Sequence, residues 1–335
     1  MLKDSCGRTL DYLRVSITDR CNLRCIYCMP PDGVEWKPHK AMLSFEETFR
    51  ICRIMAELGI KKFKITGGEP LVRRGTAGFL KNLKGLGGTE KITLTTNGLL
   101  LGAFLDEAEA LGAMPDGVNI SLDSLDSRRF ARITRAESVN PAEILSLADR
   151  LLEKRVAVKI NCVPVFSINE EDILPLAALA RDRDICIRFI ELMPLGSAAA
   201  FKPIPGAEVA SLIENAYGSL ALSSEIRGNG PAVYYSLPGF SGKIGFINPV
   251  THGFCETCNR LRLTSEGFLK PCLSYNLGLD LRELLRSGAS DTELANAITD
   301  AVLKKPKSHS LSDIYGSVSA GEHKQHSDGM FGIGG

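Results

Sequence analysis

Between residues 12 and 191 the sequence switches period repeatedly. Six short apolar runs alternate with longer stretches whose apolar residues recur every three or four positions. The runs are 12–18, 61–66, 91–96, 117–123, 156–163 and 185–191; the helical stretches are 44–58, 76–86, 101–112, 141–154 and 171–182. Ser44 followed by Glu47 reads as a capping box that starts the first helix. Strands joined in this way run parallel, because each return needs a crossover helix. Six units are fewer than the eight that close a TIM barrel. The expectation is therefore α/β: a partial, open (β/α)6 barrel of TIM type. A doubly wound open sheet would give the same periodicity.

After about residue 205 the pattern changes. A helix at 206–217, a Gly-Asn-Gly-Pro turn at 228–231, hairpin strands at 232–237 and 243–248 and a helical stretch at 279–304 predict a smaller C-terminal α+β layer. The expected division is a barrel over 1–220 and a C-terminal domain over 221–335. The last stretch, 305–335, is rich in Ser, Gly and His and reads as disordered.

Six of the ten cysteines form two triplets, Cys21, Cys25 and Cys28, and Cys255, Cys258 and Cys272. Each is one ligand short of the usual four. Three thiolates on a 4Fe–4S cluster leave one iron open, which is what a centre that does chemistry needs. Spacing alone also allows zinc or redox-active thiols at the first triplet, with His39 the nearest histidine. At the second, spacing alone fits a Cys3His zinc site completed by His252 better than a cluster. No apolar leader or membrane-length run is present, which points to a cytoplasmic chain with reduced thiols.

Strands of a parallel sheet should be apolar on both faces. Here they carry cations: Arg14, Lys62 and Lys64, Lys159 and Arg188. After Cys258, Arg260 and Arg262 stand two apart, so an extended segment projects both from one face. Buried cations without partners are costly, and several in one barrel call for a shared anion at its C-terminal mouth. The chain as a whole carries a formal net charge of only +1, which argues against a nucleic-acid surface. A neutral protein with an internally basic site suits a polyphosphate.

Cys-x3-Cys-x2-Cys with Tyr27 before its last cysteine, and Gly67-Gly68-Glu69-Pro70 after the second strand, resemble the radical S-adenosylmethionine superfamily. With the second triplet, the following Arg-x-Arg and the terminal Gly334-Gly335, the whole chain resembles the GTP 3′,8-cyclases of molybdenum cofactor biosynthesis. That resemblance implies two 4Fe–4S clusters, one in each part of the chain, and S-adenosylmethionine as cofactors. It implies that Tyr27, Gly68, Ser121 and Met193 contact S-adenosylmethionine. Arg14, Lys64, Thr95, Lys159, Arg188, Arg260, Leu261 and Arg262 would bind GTP, and Arg188, Gly334 and Gly335 would serve catalysis. Lys64 stands where the family often has arginine.

The implied reaction is radical: a deoxyadenosyl radical takes hydrogen from C3′ of GTP, C3′ bonds to C8, and an electron quenches the product. Implied partners are an electron donor such as a flavodoxin or ferredoxin and the enzyme of the next step. No membrane or nucleic-acid partner is expected, and homodimerisation stays open. Two other readings remain at this stage: a radical enzyme of another twin-cluster branch acting on a peptide, and a zinc-bearing nucleic-acid-binding module.

Overall fold

A computed structural model describes residues 1–309 apart from Ser138 and Ile226, together with Leu311 and Gly332. The barrel half runs β1 (Tyr12–Ser16), α1 (Phe45–Glu57), β2 (Lys62–Thr66), α2 (Thr76–Lys84), β3 (Lys91–Thr96), α3 (Leu101–Ala110) and β4 (Gly117–Ser121). It continues through α4 (Ser127–Thr134), α5 (Pro141–Glu153), β5 (Ala157–Cys162), α6 (Ile173–Asp182), β6 (Cys186–Ile190) and α7 (Gly206–Tyr217). There follow β7 (Ala221–Leu222), β8 (Val233–Ser236), β9 (Lys243–Ile247), β10 (Arg260–Leu263), β11 (Phe268–Lys270), β12 (Leu279–Asp280), α8 (Leu281–Arg286) and α9 (Asp291–Leu303).

Each expected strand is present, and the capping box forms: Glu47 N–H donates to Ser44 Oγ at 3.1 Å while Ser44 N–H donates to Glu47 at 2.7 Å. Strands β7 and β11 are additional to the sequence reading, and two helical segments also depart from it. Helix α4 is extra; it is short and polar, and the Asp126 carboxylate caps it by accepting from Arg129 N–H. The helical stretch 279–304 divides into β12, α8 and α9, because Gly288 takes a positive φ of 88° and Ser290 starts a second capping box.

The sheet runs β12-β11-β10-β1-β2-β3-β4-β5-β6-β9-β8-β7. The six parallel strands β1 to β6 are flanked on both edges by strands from the C-terminal part, β10 parallel to β1 and β9 parallel to β6. The sheet is thus continuous past residue 220. Side chains alternate across it: Leu13, Val15, Phe63, Ile65, Leu261 and Leu263 are buried in the core, while Tyr12, Arg14, Lys64 and Arg262 line a cavity on the opposite face. Among the described residues no helix is long and apolar enough to cross a membrane. Gly334 and Gly335 lie outside the described residues.

Candidate active site

The loop after β1 carries the first triplet. It turns tightly, Cys28 N–H donating to the Cys25 carbonyl at 2.9 Å and Met29 N–H to the same oxygen at 3.0 Å. Helix α4 backs it: Arg24 and Ile26 donate their N–H groups to the carbonyls of Thr134 and Ile133. From the other side comes the loop after β2, where Gly68 N–H donates to Thr18 O and Glu69 N–H to Arg20 O, both at 2.8 Å. A Cβ on Gly68 would lie 2.4 Å from the Arg20 carbonyl oxygen and 2.7 Å from that of Asp19. Glycine is required here because the cysteine loop itself passes this close.

Glu69 is fully buried, and its carboxyl is pushed up to about 7 by burial, against the hydrogen bonds from Asn97 N–H, Leu71 N–H and the Thr96 hydroxyl. The Tyr27 hydroxyl donates to Asp123, whose other oxygen accepts from Val163 N–H at 2.8 Å. Burial raises Asp123 to about 6 against those two bonds. The aromatic ring beside Cys28 is thereby fixed to the end of the barrel.

Cysteines of the second triplet gather at the opposite end of the strands. Cys255 opens a short turn, Cys258 lies just before β10 and Cys272 just after β11. Because β10 and β11 are antiparallel, with Arg262 opposite Lys270, Cys258 and Cys272 return to the same end. Strand β10 runs parallel to β1, so that end is the start of β1, whereas Cys21 follows its finish. Between the Cα levels of Tyr12 and Ser16 lie roughly 13 Å at the usual rise per residue.

One cavity of about 340 Å³ is lined by all six cysteines and, among others, Tyr27, Gly68, Thr95, Ser121, Met193, Arg14, Lys64, Arg188, Arg260 and Arg262. Strand register builds its cation wall: Arg14 pairs with Lys64 on one side and Arg262 on the other. Across the barrel, the Arg188 guanidinium donates to the side-chain oxygens of Asn161, at 2.9 Å, and Asn119, at 2.5 Å. Lys64 is held well below the usual lysine range, by burial first and then by Arg14, Arg188, Lys159 and Arg260; all four of those charges are positive. Such a wall fits a polyanion. The cations thus span the barrel interior between the two cysteine sets, rather than gathering at the C-terminal mouth alone.

Each donor set offers three thiols without a fourth cysteine. Cys25 is pushed well up by burial, then by Asp123, Cys28 and Cys21, so its thiolate needs added positive charge. Among the described residues no three His, Cys, Asp or Glu side chains converge on one ion site. His39 and His252 are both exposed and neither lines the cavity. His309 does line it beside Cys255, with its Nε2 buried and without a hydrogen-bond partner.

Sequence comparisons agree with this geometry. The Radical SAM superfamily profile matches residues 15–180, and that of Molybdenum Cofactor Synthesis C matches residues 185–311. The GTP 3′,8-cyclase of Clostridium perfringens strain 13 is 43% identical over 310 residues, covering 92% of this chain and 95% of the relative. That of Peptoclostridium acidaminophilum is 40% identical over 335 residues, covering 100% and 98%. The chain belongs to the GTP 3′,8-cyclase family.

Two solved structures share the fold. Streptococcus suis SuiB bound to precursor peptide SuiA has a TM-score of 0.59 at 17% identity, with 90% of this chain and 66% of that chain covered. The anSMEcpe enzyme with bound AdoMet has a TM-score of 0.53 at 13% identity, with 91% and 80% covered. Cyclase-family membership adds functional context to the cavity. Of the residues expected there, Leu261 has its side chain fully buried in the core and not on the cavity, so a contact with the nucleotide would have to come from its backbone. Lys159 lies one register row below Asn161, beside Gly228 and Tyr234, behind the wall rather than on it. Sequence reasoning did not single out Asp123, Lys305 or His309; it quoted Glu69 only as part of its motif.

Proposed function

We propose that this chain converts GTP into (8S)-3′,8-cyclo-7,8-dihydroguanosine 5′-triphosphate, the first step of molybdenum cofactor biosynthesis. The observation that carries this reading is the pair of three-thiolate sets at opposite ends of one cation-walled cavity. Cys21, Cys25 and Cys28 would hold one 4Fe–4S cluster, with S-adenosylmethionine against Tyr27, Gly68, Ser121, Met193 and Glu69. Cys255, Cys258 and Cys272 would hold the other. When bound, cluster and S-adenosylmethionine supply the radical that removes hydrogen from the ribose.

The protein's own work is placement. Arg14, Lys64, Arg188, Arg260 and Arg262 hold the triphosphate, with Lys159 adding charge from behind, and Thr95 contacts the nucleotide. Asp123 fixes the Tyr27 ring, and Glu69 offers a buried carboxylate to a cationic group. The barrel excludes water from the reacting carbons, which protects a radical from side reactions. Arg188, which is 6% exposed and anchored by two asparagines, suits a fixed contact near the reacting nucleotide. Gly334 and Gly335 would arrange GTP for hydrogen removal. The barrel over 1–220 and the cluster-binding part over 221–335 would act on one substrate, fed by a flavodoxin or ferredoxin.

The test uses GTP deuterated at C3′ with anaerobically reconstituted enzyme, S-adenosylmethionine and reductant. Deuterium should appear in 5′-deoxyadenosine and the 3′,8-cyclic product should form. Cleavage of S-adenosylmethionine without deuterium transfer would overturn the proposal.

A further inference from the structure

Beyond α9 the chain runs straight to the second triplet. Lys305 turns inward there; it is 4% exposed and lines the cavity. Its ammonium donates to the carbonyl oxygen of Arg260, at 2.9 Å, and to that of Pro271. Arg260 lies two residues past Cys258, and Pro271 immediately precedes Cys272.

The residues that follow reach the remaining cysteine. His309 N–H donates to Cys255 Sγ at 3.3 Å. The Arg8 guanidinium, itself held by the buried Asp4, donates to the carbonyls of Cys255, Pro306 and Lys307. Residues 305–309 therefore reach Cys255 itself, the residue next to Cys272 and a residue two along from Cys258.

An ammonium buried against carbonyl dipoles alone carries a large desolvation cost unless a negative charge is near. Among the described residues no carboxylate pairs with Lys305. Burial pushes its pKa down, and the Cys258 and Cys272 thiolates act most strongly in the other direction. Its natural counter-charge is the set of sulfurs.

We propose that Lys305 is the built-in counter-ion of the iron–sulfur centre held by Cys255, Cys258 and Cys272, a positioning residue that sets the reduction potential of that centre. The proposal rests on reading the second triplet as a cluster site. Positive charge beside a cluster favours its reduced form and raises its potential. The N–H of His309 on Cys255 acts in the same direction.

The experiment uses the full chain with Cys21, Cys25 and Cys28 changed to Ser, so that only the second cluster gives an EPR signal. Lys305→Gln keeps amide donors for the two carbonyls and removes the charge. Its midpoint potential should shift to a more negative value, whereas Lys305→Arg should stay near that of the parent. An unshifted potential in a folded Lys305→Gln variant overturns the proposal.

A second readout needs no altered fold: with 15N at the lysine ζ position, pulsed EPR of the reduced centre should show a nitrogen coupling that Lys305→Arg abolishes. No such coupling also overturns it. A Cys→Ser triple variant that binds no iron overturns the cluster reading of the second triplet, and the Lys305 proposal with it.

Discussion

GTP binding should draw protons into the cation wall. Lys64 is held well below its usual range by burial and by four positive neighbours, and Lys159 is brought to about 8 by burial and Arg188. Both are bases whose charged forms are disfavoured in the free protein. A triphosphate favours the charged forms and raises both pKa values, so binding at pH 8 takes protons up. With a pKa of about 8, Lys159 can accept about 0.5 proton at that pH, and Lys64 acts in the same direction. The last ionisation of a phosphate lies near 6, so the ligand contributes little. Linkage then predicts an affinity that falls at least about 5-fold from pH 8 to pH 9 on account of Lys159 alone.

Anaerobic isothermal titration calorimetry at pH 8 in Tris and in HEPES, whose ionisation heats differ, counts the protons. Lys64→Met should lower the count and flatten the pH slope. Equal heats in both buffers, with pH-independent affinity, would refute the reasoning.

Two further predictions concern the cysteine loops. Cys21→Ala should stop S-adenosylmethionine cleavage, whereas Cys255→Ala should still release 5′-deoxyadenosine but no cyclic product; 5′-deoxyadenosine from Cys21→Ala would contradict the assignment. Gly68→Ala places a Cβ 2.4 Å from a backbone oxygen of the cysteine loop, so that loop must shift. Iron at the first centre should fall well below one cluster per chain, and a full cluster with normal cleavage would show that the loop yields freely.

Most of the barrel was legible because strand and helix periods are local. Helix α4 was not, since it is only 8 residues long and its buried face of Phe130, Ile133 and Thr134 is too short to stand out as a period; it is held by the Asp126 cap and the cysteine loop packed on it. The insertion of β9 and β10 at the two edges of the parallel sheet depends on contacts distant in sequence, which no local pattern carries.

In the site, the cysteines and most strand cations were legible because each breaks an expected pattern. The Leu261 side chain lies off the cavity because alternation sends it outward with Leu13, opposite to Arg260 and Arg262. Lys159 falls behind the wall because β5 meets β6 in a register that sets Asn161, not Lys159, beside Arg188. Lys305 sits in a polar stretch that reads as tail, and only its contacts with Arg260 and Pro271 mark it.

The central claim is that both triplets hold clusters with an open iron, and metal analysis with Mössbauer spectroscopy of anaerobically reconstituted protein tests it most directly. Two 4Fe–4S cubes require about eight irons per chain, with no stoichiometric zinc. About four irons with one zinc per chain would contradict the account and make the second triplet a structural zinc site.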